Sequence, residues 1–223
     1  MPIDNLGHEH EFEPQYGLPE RLPRDEYLVW QGSPDVNTLA VTAFHIRKLT
    51  LYFLALVAVC VWLPLQRGAD IMTALDAVKW VLPLAALTLA TIWALAFMTA
   101  RTTVYTITNK RVVLRVGIVL TVTFNLPLKQ IASADIRDLG DRFGDITLAM
   151  KGSDRIAWIH LWPSVRAWRI RKTEPTLRAI PDANAVAAKL RDAWTHTTGL
   201  PANAAVETVD KQRGVTNLQV NLT

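Results

Sequence analysis

Two uncharged apolar runs, at residues 49–65 and 80–100, dominate the hydrophobic pattern of the chain. A helix rises about 1.5 Å per residue, so each run is at or near the length that crosses a hydrocarbon core about 30 Å thick. Both runs are apolar on all sides, whereas a core helix of a soluble protein is usually shorter and amphipathic. The pattern predicts a transmembrane helical hairpin, with spans at 49–66 and 80–100 and a connecting loop at 67–79.

Charged residues beside the runs indicate the orientation of this hairpin. Arg47 and Lys48 precede the first run, and Arg101, Lys110 and Arg111 follow the second. The two basic residues of the connecting loop are balanced by two acidic ones. Because loops on the cytoplasmic side carry the excess of Lys and Arg, we expect both termini to be cytoplasmic.

After residue 101 the pattern changes from helical to alternating, which is typical of β-strands. Asn109 and Lys110 supply a turn, and polar stretches at 138–145 and 151–154 separate later strands. Residues 181–197 place apolar side chains on one helical face and end before Gly199. We therefore expect an α+β membrane protein whose domain at 101–200 is a β-barrel or sandwich closed by an amphipathic helix. The predicted strands are 103–108, 111–116, 118–126, 130–137, 145–150 and 155–161.

Residues 112–128 are apolar enough to suggest a third span. Arg115 would cost about 2.5–3.5 kcal/mol near the centre of a membrane helix. The residues after it are too few for a span, and they include Gly117, Asn125 and Pro127. The sequence therefore favours strands over a third helix here.

The remaining segments are polar. Residues 1–25 are acidic and rich in proline, which predicts a flexible arm. A short strand-like run at 28–30 and an interfacial helix at 37–48 are expected in a pre-membrane segment, 26–48. Residues 201–223 are predicted to form a disordered tail.

Catalytic chemistry is not indicated. The single cysteine, Cys60, lies inside the first apolar run, where an apolar environment makes a thiol unreactive. The sequence has no phosphate-binding glycine loop and no Cys or His residues at metal-ligand spacing. His8 and His10 lack further ligands that would close a metal site. We expect a protein that is not an enzyme and has no cofactor, metal or catalytic residue.

Positive charge is concentrated in the C-terminal domain. Residues 101–178 contain fourteen Lys or Arg and six Asp or Glu, an excess of eight positive charges. Three interpretations of the densest basic cluster remain open: contact with anionic lipid headgroups, docking of an acidic protein surface, and a merely solvated basic face. Nucleic acid is not expected, because no recognition motif accompanies the charge. The candidate contact residues are Trp162, Arg166, Trp168, Arg169, Arg171, Lys172 and Arg178.

Particular segments resemble known families. YTITNKRVVLRVG, at 105–117, resembles the opening hairpin of the bacterial pleckstrin-homology (PH)-like domains that are attached to membrane helices. The segments at 12–23, 161–170 and 174–190 are similar to the PuhB family, photosynthetic complex assembly proteins of purple phototrophic bacteria. Ser164 stands where that pattern suggests a histidine, which argues against a histidine-based pigment role.

This resemblance implies a non-enzymatic assembly factor for the photosynthetic reaction centre and its core light-harvesting complex, in the bacterial inner (intracytoplasmic) membrane. It implies reaction-centre subunits and assembly intermediates as partners, beside the anionic headgroups expected from charge. Small residues such as Ala90 in the second run would also permit pairing of helices in a homo-oligomer. The alternative is a membrane-anchored PH-like protein that senses the state of lipid or envelope.

Overall fold

The computed structural model describes residues 16–118, 120–151, 161–166 and 173–199. Residues 35–100 form one compact unit, and the described residues of 16–34 and 101–199 form a second, which we call the β-domain. The helices are α1 (Val36–Thr42), α2 (Ile46–Gln66), α3 (Ile71–Val78), α4 (Val81–Thr102) and α5 (Ala183–Thr198). The strands are β1 (Leu28–Gly32), β2 (Val104–Thr108), β3 (Arg111–Val116), β4 (Val122–Pro127), β5 (Ile131–Gly140), β6 (Phe143–Met150) and β7 (Thr176–Pro181).

The helical unit contains the two predicted spans. By length and composition, Ile46–Gln66 and Ile71–Thr102 could each cross a membrane. α2 buries none of its residues, and it exposes large apolar side chains such as Leu51 and Leu54 along its length. A soluble monomer rarely exposes an apolar surface of this extent. The helices are therefore compatible with a lipid environment.

Two details of this unit differ from the prediction. The predicted loop at 67–79 contains the helix α3, which begins after Asp70. The predicted interfacial helix at 37–48 is interrupted, because α1 ends at Thr42 and His45 adopts a left-handed backbone conformation with φ 56°. The start of α1 is stabilised by Asp35, whose carboxylate accepts a hydrogen bond from the Thr38 backbone N–H at 2.8 Å.

A four-stranded antiparallel sheet in the order β1-β2-β3-β4 forms one layer of the β-domain. β1 comes from before the helical unit and pairs with β2, which follows it, so that Gly32 lies opposite Tyr105. The strand predicted in a separate pre-membrane segment is thus part of this sheet. The predicted flexible arm is described from Tyr16 onward, and Gly17 and Leu18 within it are buried. Residues 1–15 lie outside the described part of the chain.

β5, β6 and β7 form a second antiparallel sheet. The predicted polar turn at 138–145 is shortened to a two-residue connection, because Asp141 and Arg142 both have positive φ, at 51° and 67°. Two such residues are typical of the tight hairpin turn whose twist matches the strands. β7 was not predicted as a strand. The predicted strand at 155–161 and the tail at 201–223 fall almost entirely outside the described residues.

One hydrophobic core fills the space between the two sheets and α5. Val186, Leu190 and Trp194, spaced four residues apart, bury one face of α5 against it. The indole N–H of Trp194 donates a hydrogen bond to the Ile131 carbonyl oxygen at 3.2 Å. The closing helix is confirmed, and residues 112–128 form β3, β4 and a short 3-10 turn rather than a third span. The described strands form two open sheets around the core and no closed barrel.

Candidate functional site

The candidate site is the segment at 161–166 together with the return of the chain at 173–178. The first part lies along the start of β7, where Val165 forms a β-bridge with Pro175. The Thr176 N–H donates to the Ser164 carbonyl oxygen at 3.0 Å. Leu161 and Val165 belong to the hydrophobic core, so the segment is fixed to the domain by both apolar and polar contacts.

Arg166 occupies the last described position before the most basic part of the predicted cluster. Its Nη1 lies 3.1 Å from Glu174 Oε2 and 3.5 Å from Asp135 Oδ2. The Glu174 side chain is nearly buried, whereas Asp135 is largely exposed. A buried carboxylate needs a charged partner to offset its loss of hydration. Arg166 therefore has a structural role at this site besides any contact with a partner.

The expectation that Arg178 lies at the surface is wrong. Only 9% of the residue is exposed. Its Nη2 donates a hydrogen bond of 2.7 Å to the Val165 carbonyl oxygen. This buried contact joins β7 to the segment at 161–166. Among the described residues its Nε has no hydrogen-bond acceptor. The physical reason is the position of Arg178 within β7, a strand whose residues from Thr176 to Ile180 are all buried.

Tyr105 and Ser164 form the centre of this polar connection. The Tyr105 hydroxyl lies 2.7 Å from Ser164 Oγ, and it also accepts a hydrogen bond of 3.3 Å from the Arg178 backbone N–H. Burial raises the pKa of Tyr105 to about 12, because the phenolate would lose its hydration. Ser164, at the position where a histidine was suggested, is thus a buried anchor for the segment. Sequence reasoning missed this role of both residues.

Trp162 is the exposed aromatic residue among the described positions of the site, and the basic segment, residues 167–172, follows it in sequence. Trp162 is 46% exposed. The predicted contact residues Trp168, Arg169, Arg171 and Lys172 lie outside the described residues. The flanking residues are described, and the Arg166 N–H donates to the Glu174 carbonyl oxygen at 3.1 Å. Arg166 and Glu174, on either side of the basic segment in sequence, are thus held together by a backbone hydrogen bond.

In residues 16–118, 120–151, 161–166 and 173–199, no three His, Cys, Asp or Glu side chains are grouped as they would be around a metal ion. The described part of the candidate site combines the exposed indole of Trp162 and the guanidinium of Arg166 with a buried polar support, Tyr105, Ser164 and Arg178.

Comparison with known proteins identifies the family. Residues 39–194 match the family described as bacterial PH domain. This chain belongs to the bacterial PH domain family. The match extends from α1 to α5, so in this PH domain protein it includes the helical unit as well as both sheets. No solved structure matches the chain.

A relative of this bacterial PH domain protein is found in Rhodobacter capsulatus. The two are 39% identical over 190 residues, which cover 83% of this chain and 87% of the relative. The relative is described as an uncharacterized 23.7 kDa protein in the puhA 5′ region. That location is a photosynthesis gene region, and the similarity is consistent with the PuhB family.

Proposed function

We propose that this protein is a non-enzymatic assembly factor for the photosynthetic reaction centre and its core light-harvesting complex. The observation that carries the proposal is the relationship to the protein in the puhA 5′ region, which extends over most of both chains. A surface that binds other molecules, rather than an active site, fits such a role. Reaction-centre subunits and assembly intermediates are the proposed partners.

The proposed location is the bacterial inner (intracytoplasmic) membrane, crossed by α2 and α4 with both termini in the cytoplasm. The pairing of β1 with β2 supports two crossings. These strands flank the helical unit in sequence and share one sheet, so they must lie on the same side of the membrane. An even number of spans satisfies that condition, whereas a single span does not. The basic residues on both flanks favour the cytoplasmic side.

The proposed contact surface is Trp162 with the basic segment. An exposed indole supplies apolar area with a hydrogen-bond donor, and Arg and Lys attract acidic groups. Two sources of acidic groups fit the membrane location: a partner subunit and the anionic headgroups of the cytoplasmic leaflet. Each basic residue close to such a leaflet contributes roughly 1 kcal/mol of attraction. We propose that lipid attraction holds the segment at the surface where a partner is engaged.

The experiment combines gene deletion with complementation. Deletion is expected to reduce reaction-centre absorbance while bacteriochlorophyll synthesis continues. A variant with Arg169→Ala, Arg171→Ala and Lys172→Ala is expected to accumulate in membranes without restoring reaction-centre yield. The matched control removes three charges elsewhere in the β-domain, at Lys110, Arg142 and Lys151. Affinity capture of the wild-type protein is expected to recover reaction-centre subunits, and the triple variant should recover fewer of them.

Full reaction-centre yield in the deletion strain would overturn the proposal. Equal rescue by the triple variant and its control would leave an assembly role but exclude the basic segment as its contact surface. These two outcomes separate the function from the site.

A second candidate function is favoured by the family match itself. A membrane-anchored PH domain could sense the state of lipid or envelope without a dedicated protein partner. In that case deletion would leave reaction-centre yield unchanged and alter the response to membrane-active agents. Measuring both responses in one deletion strain distinguishes the two functions.

A further inference from the structure

The turn between β3 and β4 exposes apolar side chains to an unusual degree. Leu120 is 81% exposed, the largest exposed fraction of any large apolar residue in the described part of the chain. Ile118 and Val122, on either side of it, are also exposed. Residue 119 lies outside the described residues. This turn is therefore an apolar projection on a domain whose other large apolar residues mostly belong to the core.

The shape of this turn is set by the backbone. Gly117 has a φ of 124°, and a Cβ at this position would overlap the Leu120 carbonyl oxygen. Only glycine fits such a close approach of two backbone segments. The strands remain paired up to Val116 and Val122. Ile118 and Leu120 are thus carried at the tip of a hairpin that is hydrogen-bonded to its end.

The strand register places this tip at one particular end of the sheet. Arg115, near the end of β3, lies opposite Val104, the first residue of β2. One residue separates β2 from the end of α4 at Thr102. At the same end, Gly32 of β1 lies opposite Tyr105, and α1 begins at Val36. Both connections to the helical unit therefore leave from the end of the sheet that carries the apolar tip.

The opposite end of the sheet carries a polar turn and, at the start of β1, the exposed side chains of Tyr27 and Leu28. β2 and β3 are joined there by Asn109 and Lys110. The Asn109 side chain accepts a hydrogen bond from the Tyr27 N–H and donates one to the Asp25 carbonyl oxygen. The two ends differ because Ile118 and Leu120 project from a turn at the end of the sheet from which both connections to the helical unit leave. Positive charge accompanies the apolar end, at Arg101 and Arg115.

We propose that the β3–β4 turn inserts Ile118 and Leu120 into the interfacial region of the bilayer that α2 and α4 cross. This inference rests on the proposed membrane anchoring. The hairpin is too short to span the membrane, and its pairing ends at Val116 and Val122, so the tip enters only the interfacial region, where water still reaches the backbone groups of the turn. Because the domain is already tethered, even a weak insertion is favoured by the high local concentration of lipid. The turn then acts as a further attachment point that orients the β-domain.

The test uses the full chain in vesicles of phosphatidylcholine and phosphatidylglycerol. Cys60→Ala removes the single native cysteine, and Leu120→Cys introduces one site for an environment-sensitive fluorophore. Ile136→Cys is the matched control, since Ile136 is also an exposed apolar residue but belongs to the other sheet. Leu87→Cys, in α4, reports the membrane span. Lipids that carry a quencher at a shallow or a deep acyl position are included in the vesicles to measure the depth of each label.

We expect shallow quenching at position 120 to be at least twice that at 136, and deep quenching at 87. Quenching at 87 with equal, low values at 120 and 136 would overturn the inference and leave the anchoring intact. Absence of quenching at 87 would remove the anchoring and the inference with it. A blue-shifted but unquenched label at 120 would also overturn the inference, because it would indicate cover by protein, such as a second copy.

A second measurement tests whether the two side chains drive insertion. The label is placed at Thr121→Cys, with and without Ile118→Ser and Leu120→Ser. Both serines replace exposed side chains, so the core is left intact. Shallow quenching at 121 is expected to fall to the level seen at 136. Unchanged quenching in the serine variant would overturn the assigned role of Ile118 and Leu120.

Discussion

The helical unit and the β-domain use apolar residues in opposite ways. α2 buries none of its residues, whereas every residue of β2 is buried. In the β-domain the alternative to packing is contact with water, and the hydrophobic effect drives Leu, Val and Ile inward. In a bilayer the surrounding acyl chains are as apolar as leucine, so no such force operates. An apolar run alone therefore does not show whether it lies in a protein core or in a bilayer. The charges that interrupt or flank the run are needed to distinguish the two.

The largest effect is expected from a charge in the helical unit. Ala90→Arg places a guanidinium near the middle of α4, where insertion becomes less favourable by about 2.5–3.5 kcal/mol. We expect loss of stable membrane accumulation, measured by fractionation and immunoblotting. Ala90→Leu, which keeps the run apolar, should accumulate normally. Normal accumulation of the arginine variant would show that α4 is not a membrane span.

Next in severity, after loss of the protein from the membrane, is the effect of a cavity in the β-domain. Leu114 is fully buried in the core, so Leu114→Ala should reduce the free energy of unfolding by about 2–5 kcal/mol. The measurement is urea unfolding of the detergent-solubilised full chain, with susceptibility to proteolysis as the readout of the unfolded fraction. Leu120→Ala is the matched control, because its side chain is exposed and the change should be within about 0.5 kcal/mol. Similar losses in both variants would contradict the described core.

The buried tyrosine gives a smaller effect with a pH signature. Tyr105→Phe removes the hydroxyl shared with Ser164 and Arg178, which should cost about 1–3 kcal/mol. The unfolded tyrosine ionises near its pKa of 10.0, but in the folded protein its pKa is about 12. Between these values the unfolded state binds fewer protons, so the stability of the wild type decreases with rising pH, by about 1.4 kcal/mol per unit.

The measurement is urea unfolding by tryptophan fluorescence at several pH values up to 12. Below pH 10 the stabilisation of neutral Tyr105 is fully present, and the Phe variant should lack the loss between pH 10 and 12. Tyr27→Phe, at an exposed position, should retain the wild-type profile. Identical profiles for wild type and Tyr105→Phe would contradict burial of the Tyr105 hydroxyl.

The smallest predicted effect concerns the segment before the helices. Glu26 accepts hydrogen bonds from Arg111 Nε at 2.8 Å and Thr108 Oγ1 at 2.7 Å. Glu26→Gln keeps an acceptor oxygen but removes the charge, so we expect a loss of about 0.5–1.5 kcal/mol. Arg142→Gln is the control, because its ion pair with Asp182 is long and exposed and should contribute little. The same urea assay measures both variants.

Much of the fold could be predicted because its signals are local. β3 has the predicted limits, Arg111–Val116, since a β-branched run is bounded there by a polar turn and a glycine. α5 was found from its apolar spacing. β7 was missed because Arg178 interrupts its apolar pattern, and the carbonyl group of Val165 that receives this side chain is distant in sequence. The break before α2 depends on the backbone conformation of His45, which no local signal predicts.

The candidate site was predicted less well than the fold. The exposure of Trp162 agrees with a contact role, and Arg166 is half-exposed but engaged with Glu174. Charge density drew attention to the segment, but it could not distinguish a buried arginine, Arg178, from a surface one. The start of the predicted strand at 118–126 belongs to the apolar β3–β4 turn, because β4 begins only at Val122. Hydropathy alone does not distinguish an exposed apolar turn from a strand.

The pairing of β1 with β2 imposes an order on synthesis. β1 leaves the ribosome first, but the strand beside it is translated only after both long helices. In the proposed membrane topology, the nascent chain must insert both apolar helices before the sheet can be completed. A ribosome paused between residues 34 and 104 would carry an edge strand with no neighbour, which makes that interval the vulnerable stage in the biogenesis of this protein.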